Sequence, residues 1–279
     1  MTEYVSVTED KFKGFTEVPG IGKRELRDYL GISVDPQTRI FYFNGAPRFK
    51  WLHLLKAQLE GSKILASFLK DPELRGEYHE KQKAVFVQPD DFFAECHELG
   101  HAFVRRENPN LFPKNLSAFV DVNQAANLIA RSALSDGIAE WVAIKVGLES
   151  GDPLRKAEAT RESNKLVAGS EDQVNHLYDP IFMQGNIDKV SKAVAEYCNN
   201  PFVRRGLVIN DICENYVKMR DLVYRGTMSL GYAYVVSRVG KLSIEQPEWT
   251  IAQKLSLLAK NPPTFTELEQ EVNGSFSFY

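Results

Sequence analysis

The chain has 279 residues, 43% of them hydrophobic and 25% charged, a balance that excludes disorder of the whole chain and gives enough length to bury a large core. A formal net charge of −3 offers no global basic field for nucleic acid or an anionic membrane surface. Three cysteines (Cys96, Cys198 and Cys213) lack framework spacing, the N-terminus has no apolar leader segment, and no apolar run reaches the roughly 18 residues of a membrane span. A soluble, cytoplasmic protein without a membrane partner is therefore expected.

In chain order, "VPGIGKRELRDYL" at 18–30 reads as a glycine turn opening a short helix. "RIFYFNGAPRF" at 39–49 reads as a strand and a turn around Asn44, Gly45 and Pro47, and residues 50–72 as a helix with Leu52, Leu55 and Leu59 on one face. His53 falls among those leucines and reads as packing, and His79, in the charged run "RGEYHEKQK", as solvated. "AVFVQP" at 84–89 reads as a strand closed by proline, and 84–88 is expected to be an edge strand open to an added peptide. The stretch that follows repeats apolar residues at helical spacing through Phe92, Phe93, Leu99, Ala102 and Phe103. A loop at 107–121 with Pro109 and Pro113 precedes one long helix over 122–148. A polar helix is expected at 153–169, and further helices at 208–223 and 230–240.

Chemistry concentrates in "AECHELGHAF" at 94–103. His97 and His101 are four residues apart, so on a helix both imidazoles share a face and converge on one ion at about 2.0–2.1 Å. Glu98 stands about 100° round that helix, placed to take a proton from a water without occupying a coordination position. Cys96 points elsewhere, and His176 is a histidine for which nothing sets a distance from the motif. The longer zinc-protease motif, with a third histidine, would need a glycine and then that histidine at the positions held here by Val104 and Glu107.

Together with "SDGIAEWVA" at 135–143, the His97-Glu98-Leu99-Gly100-His101 stretch resembles the gluzincin metallopeptidases, collagenase-like and aminopeptidase members included. The resemblance covers about residues 84–146. It implies one Zn2+ per chain held by His97, His101 and an acidic residue of the second helix, and it implies a peptide or protein substrate. Asp136 stands where that family places its ligating glutamate. Glu140 is the alternative, with the other of the two orienting a histidine ring, and Asp121 ranks third. Tyr232, after Gly231, resembles a late-helix tyrosine that stabilises an oxyanion.

The expected architecture is α+β, mostly helical and zincin-like. A lobe of residues 1–106 would carry a small sheet packed on the active-site helix, and a helical lobe of residues 107–279 would carry the third ligand, the two forming one catalytic unit. Two other functions compete with peptide hydrolysis. One is a non-hydrolytic zinc-binding regulatory or interaction protein on the same scaffold. The other, lesser one is DNA binding through the Gly20-Ile21-Gly22 turn, where amides at a helix N-terminus would meet a phosphate; Glu25 and Asp28 offset Lys23, Arg24 and Arg27 there. Oligomeric state is not specified by any of these features.

Overall fold

In the computed structural model, residues 14–43, 75–112, 121–168, 195 and 213–276 are described. Among them, the strands are β1 (Phe15–Val18), β2 (Arg39–Phe43), β3 (Gly76–His79) and β4 (Ala84–Val87). The helices are α1 (Ile21–Leu30), α2 (Phe92–Glu107), α3 (Val122–Glu149), α4 (Pro153–Ala168), α5 (Cys213–Glu245), α6 (Ile251–Lys260) and α7 (Phe265–Phe276). The class is α+β, mostly helical, with one small sheet. The turn at 44–47, the helix at 50–72 with His53, and His176 lie outside the described residues.

The sheet runs β1-β2-β4-β3. β1 pairs antiparallel with β2 from Phe15 opposite Phe43 to Val18 opposite Ile40, and β2 pairs parallel with β4, Arg39 opposite Ala84. β3 closes the other side, antiparallel to β4. This corrects the edge assignment at 84–88. β4 is an interior strand, buried at all four positions, and its unbroken apolar run is what two covered faces require. Among the described residues the edges are β1 and β3, and His79, expected to be solvated, is a half-buried residue at the end of β3.

α2 is the central element. Asp91 caps it, accepting from the Ala94 N–H at 2.9 Å, and Arg105 and Arg106 complement the dipole at its other end. Phe92, Phe93, Leu99, Ala102 and Phe103 are all buried, as their spacing predicts. One hydrophobic cluster reaches from Leu26 on α1 to Val272 on α7, taking in Ile40, Val85 and Val87 from one sheet face. On the opposite face Phe15, Phe41, Phe43 and Phe86 form an aromatic group, with Phe15 and Phe86 edge-on at 4.9 Å and Phe41 stacked on Phe86 at 5.1 Å.

α3 starts in a capping box, the Asp121 carboxylate accepting from the Gln124 N–H at 2.7 Å while the Gln124 side chain accepts from the Asp121 N–H. The segments 213–223 and 230–240 form one continuous helix, α5, rather than two. Residues 208–212 lie outside the described residues.

α2 crosses α3 where Gly100 meets Ala139: a Cβ on Gly100 would stand 2.6 Å from the Ala139 Cα. α3 crosses α5 more tightly still. A Cβ on Gly137 would lie 2.2 Å from the Gly231 carbonyl, and one on Gly231 would lie 1.7 Å from the Ala133 oxygen. Bare backbone at these positions brings three helices close enough for short side chains to bridge them.

Candidate active site

Because α2 and α3 run in opposite directions at their crossing, the two motifs meet in reverse order. His97 faces Glu140, and His101 faces Ser135 and Asp136. Glu140 Oε2 lies 2.9 Å from His97 Nδ1. A carboxylate can only accept, so this bond holds the proton on Nδ1 and leaves Nε2 as the position for a ligand. Ser135 Oγ lies 2.9 Å from His101 Nδ1; a hydroxyl donates or accepts, so this contact orients the second ring without setting which nitrogen carries its proton. The two rings stand edge-to-face with centroids 4.8 Å apart.

Asp136 Oδ1 is 3.6 Å from His101 Nε2, outside hydrogen-bonding distance. Two donors about 2.0–2.1 Å from one tetrahedral ion are separated by roughly 3.3–3.5 Å, so the spacing of this pair suits a shared ion. Among the described residues, no group of three or more His, Cys, Asp or Glu side chains is gathered as a bound metal would hold it. The donor set, two imidazoles and a carboxylate, is a zinc set in its chemistry.

Asp121, the third-ranked candidate, is the exposed N-cap of α3. Fifteen residues of helix separate it from Asp136, about 22 Å along the axis.

The charges of the site are buried. Burial by itself would depress the His97 pKa, but the Glu140 hydrogen bond and charge, with Glu98 and Asp136 adding to them, lift it to about 9. His101 moves the other way, held well below its usual value by burial, with the charges of His97 and Arg105 acting in the same direction. Glu98 is 8% exposed. Burial raises its pKa to about 7 against the opposing pull of His97 and of the Tyr78 backbone N–H that bonds its carboxylate.

Tyr232 reaches the region from α5, next to the Gly231 contact. Its hydroxyl lies 3.5 Å from Ser163 Oγ on α4. Burial raises its pKa, the Ser163 bond opposes that rise, and the charge of Glu140 adds to it. No protein-family model matches this chain, and no curated protein or solved structure matches it.

Residues beyond the sequence-based set complete the site. Ser135 sits inside the quoted "SDGIAEWVA" stretch, yet a helical serine carries no sequence signal of a histidine partner. Gly76 and Tyr78 belong to a strand that its charged composition concealed. Around the site, Arg75 forms two bonds of 2.6 and 2.7 Å to the Asp91 cap of α2 and one of 2.6 Å to Glu158 on α4. It also stacks over Phe93, 5.4 Å from the ring centroid.

At α1, the Gly22 N–H of the Gly-Ile-Gly turn donates to Glu95 Oε1 at 2.6 Å, and Tyr42 donates to the other oxygen at 3.1 Å. One amide of that turn is thus bonded to a buried carboxylate of α2. Among the described residues, no helix is long and apolar enough to cross a membrane.

Proposed function

We propose that this protein is a zinc-dependent metallopeptidase of gluzincin-like fold, acting on a peptide or protein substrate and working in the cytoplasm. The observation that carries the reading is the pairing of the two motifs across one helix crossing: each histidine of His97-Glu98-Leu99-Gly100-His101 has Nδ1 held by a residue of α3, and Asp136 stands beside His101 Nε2. In this reading His97, His101 and Asp136 hold one zinc. Glu140 and Ser135 orient the rings.

When bound, zinc supplies Lewis acidity that makes water a competent nucleophile near neutral pH. Glu98 removes the proton from that water as it attacks the scissile carbonyl and returns it to the leaving amine. A carboxyl with a pKa near 7 is suited to both halves of that task. Tyr232 contributes a hydroxyl from α5 for the developing oxyanion.

The same donors would serve one competing reading, a metal-binding regulatory or interaction protein that does not hydrolyse. One experiment separates them. Purified protein is expected to contain about one zinc per chain and to cleave a mixed peptide library, with activity abolished by a chelator and restored by zinc. Glu98→Gln should keep the metal and lose hydrolysis by about 10²–10⁴-fold. Full zinc content in both His97→Ala and His101→Ala would remove the metallopeptidase reading, and zinc binding without any cleavage would establish the alternative.

A further inference from the structure

We propose that Gly76, on edge strand β3, is the positioning residue for Glu98: its missing side chain makes the space the glutamate occupies, while the strand's outward amide two residues on holds the carboxylate. The proposal rests on the assignment of Glu98 as the base.

The phase of the strand makes this arrangement. The Gln88 N–H donates to the Arg75 carbonyl at 2.9 Å, and Gly76 lies opposite Val87 in the register. In an antiparallel ladder bonded and non-bonded pairs alternate, so Arg75, Glu77 and His79 turn their backbone groups toward β4. Gly76 and Tyr78 turn theirs to the side away from β4. The Tyr78 N–H is the outward donor that bonds Glu98.

At Gly76 the fit leaves no room for a side chain. A Cβ there would stand 2.8 Å from Glu98 Cγ and 3.1 Å from its Oε1, with Val87 Cγ1 also at 3.1 Å. The backbone of β3 is bonded to β4 on one side, so it cannot retreat without breaking the ladder. The side chain that yields is Glu98. Any larger residue at 76 displaces the carboxylate from the Tyr78 amide and leaves both histidines in place.

The test is a double-mutant cycle on the full chain between Gly76→Ala and Glu98→Ala, read by thermal unfolding, with zinc uptake and peptide hydrolysis measured alongside. Gly76→Ala is expected to keep zinc uptake and KM, to lower kcat by about 10–100-fold, and to lower the unfolding midpoint by several degrees. In the Glu98→Ala background, where Cγ and the carboxylate are gone, the same substitution should leave the midpoint nearly unchanged.

An equal drop in both backgrounds, or failure of both Gly76→Ala proteins to fold, would mean that the glycine serves the strand and not the glutamate, and would overturn the proposal. Folding of the double variant alone would support it. If the unmodified chain cleaves no peptide, the metallopeptidase reading fails, and the stability cycle still decides whether Gly76 and Glu98 are coupled.

Discussion

At the scale of single residues, the site divides its acidic groups by reach. Asp136 and Glu140 are four residues apart and share a face of α3, so periodicity alone assigns neither to the ion. Their neighbours differ. Glu140 is committed to His97 Nδ1 at 2.9 Å, whereas Asp136 stands 3.6 Å from a nitrogen that can ligate. Zinc affinity, measured by competition with a chromogenic chelator, should fall by orders of magnitude for Asp136→Ala. For Glu140→Ala and Ser135→Ala it should fall about 10–100-fold, the range for partners that orient a liganding histidine. Ser135→Thr, which keeps the hydroxyl, should lie close to the unmodified protein. A steeper loss for Glu140→Ala than for Asp136→Ala would exchange their roles.

At the scale of elements, the geometry of the site is that of two helix crossings, and the small residues at those crossings are as much a part of it as the histidines and carboxylates proposed to hold zinc. Gly231 and Gly240 lie on the same helix and make a controlled comparison. A Cβ at Gly231 would enter the Ala133 carbonyl, while one at Gly240 meets nothing within 4 Å. Gly231→Ala should destabilise the protein by about 1–3 kcal/mol, the range for overpacking. Gly240→Ala should be neutral or stabilise it by up to about 1 kcal/mol through helix propensity. Urea titrations of the two variants check this, and equal effects would show that the α3–α5 crossing is not sterically limited.

At the scale of the whole molecule, polar clamps at the two ends of α2 anchor it to other elements. Arg75 ties its N-terminal cap to α4, and Glu107 ties its last turn to α6 through Ser256 at 2.6 Å and Lys260 at 3.1 Å. Burial would raise the Glu107 pKa, but the bonds from Ser256, Arg106 and Lys260 outweigh it and hold the carboxyl down to about 2. A carboxyl depressed on folding stabilises the native state above its unfolded pKa of about 4.3, and that contribution is lost as pH falls toward its folded value. With Lys260 57% and Arg106 39% exposed, the contribution at neutral pH is about 1–2 kcal/mol after screening. Glu107→Gln should therefore lower stability at pH 7 and flatten its decline between about pH 4.3 and 2. An unaltered acid limb in that variant would assign the acid sensitivity to other carboxylates.

Local physics alone determined much of this protein. The 3.6-residue period, the Asp91 cap and the run of buried apolar residues specify α2, and the helical repeat puts His97 and His101 on one face of it. The same reasoning gives α3 nearly to its ends and places Asp136 and Glu140 on a common face. β4 was legible as a strand, but its place inside the sheet was not: it was expected at an edge, and only the pairing with β2 and β3 put it between them. β1 and β3 were not legible, since four residues of mixed polarity have no period long enough to read, and pairing partners alone make them strands. The tertiary structure decided which of two equally spaced carboxylates faces which imidazole, and it alone brought Ser135, Gly76 and Tyr78 to the site. Sequence spacing sets direction along a single helix, but separation between helices depends on the side chains absent from Gly100, Gly137 and Gly231, whose effect exists only once another backbone arrives against them.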